Sequence, residues 1–353
     1  MLKIAIIGTT TWGTTLALML AQKGLEVRLW ARTEREATEL RNAGPNPNQF
    51  PGITFPPHLL ITSQVDEALA NVKTVILAVP SQSMRQNINL IESHLTKSII
   101  VVSASKGLEI GSDKRMSQVI AEEINPHFRS NICVMSGPNL SREVVRNLPA
   151  ATVAAAEDRN VARKVQRLLT TPNFCVFTNS DIIGVELGGA FKNIIALGAG
   201  VADGLGYGDN AKAAFMTRGL TEITALGVAL GAHPLTFSGL AGLGDLIATC
   251  TSTLSRNHYV GVELTKGRSL TEITDAMTEV AEGVSTTLVA RNLAQQLGLE
   301  MPVTEKIYQV LYENADPRQV AAELMGANVR HELSGRKWKL FSLFKRRRRP
   351  STD

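Results

Sequence analysis

The chain opens with Leu2-Lys3-Ile4-Ala5-Ile6-Ile7-Gly8-Thr9-Thr10-Thr11-Trp12-Gly13, and this stretch decides the fold. Its first six residues read as a strand that ends on a glycine turn, and a helix-like stretch, Thr14–Gln22, follows. Strand, glycine turn and helix in that order form a dinucleotide-binding arrangement, in which helix N–H groups and the helix dipole receive a pyrophosphate. Gly8 and Gly13 fill the first and third glycine positions of the Gly-x-Gly-x-x-Gly pattern, while Thr10 stands at the second. A Cβ at that position is expected to crowd the place where backbone meets pyrophosphate, so the motif by itself is incomplete. The next strand-like run, Val27–Trp30, leads into Ala31-Arg32-Thr33 with no acid at its end to hold a ribose 2′-hydroxyl. Arg32 suits a 2′-phosphate and tilts the expected cofactor from NAD towards NADP, the plain alternative being a solvated arginine in a turn.

Further strand-like runs occur at Leu59–Thr62, Thr74–Ala78, Ser98–Ser103, Asn131–Met135, Ala151–Ala155 and Phe174–Phe177. Helix-like stretches such as Ser81–His94 and Asn160–Leu169 alternate with them, whereas Gly44–Pro57 reads as a long surface loop. The alternation predicts an α/β fold: an N-terminal Rossmann-like, doubly wound and mostly parallel sheet over residues 1–180. From Asp181 the strand signals stop, and a C-terminal all-helical domain is expected over 181–331, followed by a basic tail over 332–353.

Of the 353 residues, 44% are hydrophobic and 20% charged, which excludes wholesale disorder. No apolar run reaches the ~18 residues that a membrane span needs. The first residues enter a strand without a basic leader, so no export signal and a cytoplasmic location are expected. The three cysteines, Cys133, Cys175 and Cys250, are scattered without a Cys/His cluster, so no metal is expected. Cys133 and Cys175 sit in apolar strand-like runs and read as small buried hydrophobes. The formal charge of +5 is uneven: residues 335–353 carry eight Lys/Arg against Asp353, which leaves residues 1–334 slightly acidic. A slightly acidic body argues against a nucleic-acid partner.

More specific motifs lie beyond the nucleotide turn. They include Gly184-Val185-Glu186-Leu187-Gly188-Gly189-Ala190-Phe191-Lys192-Asn193, Ala202-Asp203-Gly204-Leu205-Gly206 and Gly239-Leu240-Ala241-Gly242-Leu243-Gly244-Asp245-Leu246. Cys250-Thr251-Ser252, Leu254-Ser255-Arg256-Asn257 and Val280-Ala281-Glu282-Gly283 follow, and Ala78-Val79-Pro80-Ser81, Ser105-Lys106-Gly107 and Ser136-Gly137-Pro138 precede them. In order and spacing, from about residue 1 to about 331, this set resembles the bacterial-type NAD(P)-dependent glycerol-3-phosphate dehydrogenase family.

The resemblance implies reversible hydride transfer between NAD(P)H and dihydroxyacetone phosphate, giving sn-glycerol 3-phosphate for phospholipid synthesis. It makes Lys192 the proton acceptor, a role that a lysine fills when burial or a neighbouring cation lowers its pKa. It assigns Lys106, Gly137, Asn139, Lys192, Asp245, Ser255, Arg256 and Asn257 to the substrate. The last three offer hydroxyl, guanidinium and amide donors suited to a phosphate dianion. To the cofactor it assigns Gly8, Thr10, Thr11, Trp12, Gly13, Arg32, Lys106, Ser141, Arg256, Val280 and Glu282. Asn139 and Ser141 replace the family's usual Ser/Thr and alanine. Without the surrounding match, Lys192 would read as a snorkelling surface lysine and Ser255 as a helix cap. The family also implies a homodimer.

The tail interleaves Trp338, Leu340, Phe341, Leu343 and Phe344 with Lys337, Lys339 and Lys345 before Arg346–Arg349. Its composition reads first as a solvated, disordered segment, with weak contact to an anionic membrane as the alternative. Two rivals to the enzymatic reading stand: a dehydrogenase for another hydroxy acid, and a non-catalytic nucleotide-binding or membrane-surface protein. Ser255-Arg256-Asn257 speaks against the first, and intact Lys192 and Asp245 against the second.

Overall fold

A computed structural model describes residues 2–96 and 98–326. Eight strands are present, β1 (Lys3–Ile7), β2 (Glu26–Trp30), β3 (Leu59–Thr62), β4 (Thr74–Leu77), β5 (Ile100–Ser103), β6 (Ile132–Ser136), β7 (Ala150–Ala155) and β8 (Phe174–Asn179). They form one sheet in the order β3-β2-β1-β4-β5-β6-β7-β8. Every neighbouring pair is parallel except β6 and β7. The mostly parallel sheet expected from the eight apolar runs is therefore the one observed, because strands buried on both faces read as continuous hydrophobic stretches. Residues 44–57 form neither helix nor strand, as their Pro, Asn and Gly content predicts.

The chain runs β1, β2, β3 in one direction and then returns to place β4 on the other side of β1. Such a reversal opens a crevice beyond the carboxyl ends of the strands, where open α/β sheets bind ligands. Gly8 stands at that crevice with φ +107°. A Cβ on it would lie 2.7 Å from the Ala78 carbonyl oxygen, so the turn after β1 accepts only glycine. Helix α1 (Thr11–Gln22) leaves from this turn.

Beyond β8 the described chain is helical. A central helix, Ile182–Gly204, is surrounded by helices that include Gly208–Ala229, Asp245–Thr251, Arg256–Thr265 and Glu282–Gln296. Phe191, Ile194, Ile195 and Leu197 of the central helix are buried in its core. This helix is long and apolar enough to cross a bilayer by length and composition, which corrects the expectation of no such segment. Its glycines together with Glu186, Lys192 and Asn193 break the apolar run, yet 83% of its most apolar window is buried inside the protein. It is therefore the all-round hydrophobic core helix of the helical part. The central helix meets Arg256–Thr265 backbone to backbone. A Cβ on Gly261 would lie 2.0 Å from the Leu197 carbonyl oxygen, and one on Gly200 2.1 Å from that of His258.

Cys133 and Cys250 are buried, and burial pushes both thiols up to about 12. Cys175 is exposed, against expectation. It lies on β8, an edge strand whose burial alternates, so an apolar run there does not imply two covered faces. The tail over 332–353, and the last residues of the expected helical domain, lie outside the described residues.

Candidate active site

A cavity of about 700 Å³ opens between the carboxyl ends of the sheet strands and the helical part. Its walls come from the N-terminus of α1, the loops after β4, β5 and β6, the central helix, and the segments 253–259 and 277–282.

At one end, Lys192 is buried near the middle of the central helix, among small and apolar neighbours. Its Nζ lies 2.8 Å from Asp245 Oδ1 and also donates to Thr249 Oγ1. Lys106, on the loop after β5, brings its Nζ to 2.6 Å from Asp245 Oδ2 and 2.9 Å from the Gly137 carbonyl oxygen. One buried carboxylate thus bridges two ammonium groups. Burial pushes the Lys192 ammonium down to about 8; Asp245 opposes this fall and the Lys106 charge adds to it. A primary amine that exchanges its proton near neutral pH is a competent general base or acid.

Ser255, Arg256 and Asn257 open a ten-residue helix at the cavity wall. The Ser255 hydroxyl accepts from the His258 N–H at 3.2 Å and serves as the helix cap. Asn257 is buried as a strut: its Nδ2 donates to Asn193 Oδ1 at 2.9 Å, and its Oδ1 accepts from Gly283 N at 2.8 Å. Arg256 is exposed, with one guanidinium nitrogen donating to the Val280 carbonyl at 2.9 Å. The helix start and this guanidinium together make an anion site of the kind that suits a phosphate.

At the other end lies the nucleotide turn. Thr10 does not project into the pyrophosphate position as the sequence led us to expect. Its hydroxyl accepts from Gly13 N at 3.1 Å and donates to the Ala78 carbonyl at 2.7 Å, so the side chain folds back as the cap of α1. The glycine turn and the helix start at the wall of this cavity fit a dinucleotide. Asn139 adds to the fit: its Nδ2 donates to Thr152 Oγ1 at 3.0 Å, while its buried Oδ1 has no partner at the cavity wall.

Thr10, Thr11, Trp12, Lys106, Asn139, Ser141, Lys192, Asp245, Ser255, Arg256, Asn257, Val280 and Glu282 all line this one cavity. Gly8 and Gly13 form the turn beneath it, and Gly137 reaches it through the carbonyl that holds Lys106. Arg32 does not line it; its side chain is exposed outside the wall. Glu282 faces Ser81, accepting from its N–H at 2.8 Å and from its hydroxyl, and burial pushes its carboxyl up. No cluster of metal-ligating side chains exists among the described residues.

Sequence reasoning missed several neighbours. Thr249, one helical turn after Asp245, touches Lys192, and Asn193 follows Lys192 directly. Glu279 accepts from the Thr11 N–H at 3.2 Å, so a carboxylate occupies the first donor of α1. Burial works to raise its pKa, but Arg256, Thr11 and Gln49 hold it below the ordinary carboxylate value.

Comparisons with known proteins agree with this geometry. Residues 3–162 match the model of the NAD-dependent glycerol-3-phosphate dehydrogenase N-terminus, and residues 181–322 that of its C-terminus. A glycerol-3-phosphate dehydrogenase [NAD(P)+] of Dehalococcoides mccartyi is 62% identical over 354 aligned positions, covering 100% of this chain and 98% of that protein. One from Moorella thermoacetica is 49% identical, covering 95% of this chain and 99% of its own length. The crystal structure of glycerol-3-phosphate dehydrogenase from Coxiella burnetii superposes with a TM-score of 0.86 at 36% identity, covering 92% of this chain and 98% of that one. With both halves matched in order around one shared cavity, the chain belongs to the NAD-dependent glycerol-3-phosphate dehydrogenase family.

Proposed function

We propose that this protein catalyses reversible hydride transfer between NAD(P)H and dihydroxyacetone phosphate, giving sn-glycerol 3-phosphate. The observation that carries this reading is a buried, pKa-lowered lysine in the same cavity as two helix N-termini suited to anions. When bound, the nicotinamide ring supplies or takes the hydride at C2 of the substrate. Lys192 handles the accompanying proton: as a neutral amine it takes it from the 2-hydroxyl, and as an ammonium it returns it to the nascent alkoxide. Asp245 and Thr249 hold the Lys192 nitrogen in one position, and burial, with the Lys106 charge adding to it, keeps its pKa low. Arg256 and the first turn of its helix grip the phosphate, and Asn257 braces that turn against Asn193. The nucleotide is held by the Gly8–Gly13 turn, by Thr11, Trp12 and Ser141, and by Val280 from the facing wall, with Arg32 favouring NADPH. A carboxylate substrate has no need of a phosphate cradle beside the lysine, which sets the rival hydroxy-acid reading aside.

The test follows consumption of reduced nucleotide with dihydroxyacetone phosphate, and also measures the reverse direction, across pH. Reduction needs the protonated amine and is expected to fall as pH rises through about 8, whereas oxidation rises through the same range. Absence of turnover in both directions overturns the proposal, and matching pH profiles in the two directions remove Lys192 as the proton carrier.

The reading extends to a cytoplasmic homodimer that feeds phospholipid synthesis, with weak contact of the basic tail to anionic membranes. Deletion of residues 335–353 is expected to abolish co-sedimentation with anionic vesicles, each basic residue near the surface adding about 1 kcal/mol. Equal sedimentation with and without the tail removes the membrane contact.

A further inference from the structure

Beside the β1–β2 end of the cavity, behind its lining residue Thr9, stands an acid that its place in the sequence conceals. β1 and β2 pair with Ile7 beside Trp30, so the glycine turn after β1 lies next to Ala31 and Arg32. Helix α2 (Glu34–Ala43) starts here, with Thr33 as its cap: the Thr33 hydroxyl accepts from Glu36 N at 3.2 Å. The Glu36 side chain turns back towards the sheet. Its Oε2 accepts from the Arg32 N–H at 3.1 Å, and its Oε1 accepts from the hydroxyl of Thr9, the second residue of the nucleotide turn. Thr9 lines the cavity, and so does Leu40, one helical turn beyond Glu36 on the same face of α2. The charged neighbours do not neutralise this carboxylate. Arg35 pairs with Glu39 at 2.8 Å, and Arg41 pairs with Glu34. Among the described residues no cation forms an ion pair with Glu36, and the Arg32 guanidinium stands exposed outside the wall.

A half-buried carboxylate anchored to the second residue of a dinucleotide turn lies where the adenosine ribose of such a cofactor comes to rest. There a ribose 2′-hydroxyl gains a charged acceptor, whereas a 2′-phosphate meets a like charge. We infer that Glu36 is a specificity-determining residue that admits NADH and restrains NADPH, against the opposite pull of Arg32. The inference rests on the proposed function in one respect, that the adenosine half of the nucleotide lies over the β1–β2 turn. Both nucleotides are then usable because one turn carries a carboxylate for the hydroxyl and, on the outer side, a guanidinium for the phosphate.

The experiment is a direct binding titration with NADH and with NADPH, without substrate, on the wild type, Glu36→Gln and Arg32→Ala. In Glu36→Gln the amide oxygen keeps the Arg32 N–H, and the amide nitrogen donates to the Thr9 hydroxyl, which turns from donor to acceptor, so the local anchoring is retained while the charge is removed. The Kd ratio of NADH to NADPH is expected to move at least fivefold towards NADPH in Glu36→Gln. In Arg32→Ala it is expected to move the other way. A smaller movement in Glu36→Gln, or a shift of both variants in one direction, overturns the assignment. Failure of the wild type to bind either nucleotide overturns this inference together with the proposed function, and is distinct from tight binding with an unchanged ratio.

Discussion

Replacing Lys192 by alanine is expected to lower kcat for dihydroxyacetone phosphate reduction by about 10²–10⁴-fold, the usual worth of a positioned acid or base. The fold is expected to survive. The group of Lys106, Asp245 and Lys192 carries one negative and up to two positive charges, and the variant leaves the Lys106–Asp245 pair at 2.6 Å as a neutral unit. Loss of the amine therefore relieves an excess charge at the same time as it removes the proton carrier. Steady-state rates, a nucleotide titration and a thermal melt separate these effects. A kcat within threefold of the wild type removes Lys192 from the chemistry. A collapsed melt would mean instead that its packing against the central-helix core dominates.

Substitution of Asp245 by asparagine is expected to act on both stability and rate. The buried Lys192 and the partly buried Lys106 then share a neutral amide, and breaking a buried pair from one side costs about 3–5 kcal/mol. The cost has a definite pH dependence. In the wild type the folded Lys192 pKa of about 8 lies below the unfolded value of 10.5, so the folded state binds fewer protons between those limits and stability rises with pH there. Asp245 is the group that holds this pKa up; without it the folded value drops further, and the rise begins at lower pH. The stability deficit of Asp245→Asn should thus be largest in mild acid, where the lysine is forced to carry a proton, and should shrink towards pH 9. Denaturant melts at two pH values read it, and a deficit that stays constant or grows with pH contradicts the proposed coupling. Turnover in the reductive direction should fall as well, because Lys192 is then mostly unprotonated at neutral pH.

How much of this was legible beforehand differs from residue to residue. The eight strands could be read because each is a short apolar run between turn residues, and parallel strands in the middle of a sheet are covered on both faces. β8 broke the rule at Cys175, since being at an edge is a property of the whole sheet and not of a six-residue run. Lys106, Asp245 and Lys192 stood out through the resemblance, but their bridging was invisible across separations of more than fifty residues. Thr249 carried no signal beyond its spacing of four from Asp245, which any helical threonine shares. Thr10 was misjudged because only its bulk was weighed. A hydroxyl three residues before Gly13 is also a capping signal, and capping is what it does. Glu36 was missed because the acid was sought at the end of β2, whereas it reaches the same place from the first turn of α2.

The contact at Gly200 and Gly261 has a bearing on which substrates fit. Helices that touch main chain to main chain have no compressible side chains between them, so the span from the amine of one to the anion grip of the other behaves as a fixed gauge. A ligand whose carbinol and phosphate are separated by one extra carbon would have to buckle or forfeit one anchor, while a shorter one would leave a gap. Selectivity for chain length is in this sense written into two residues that touch no ligand at all.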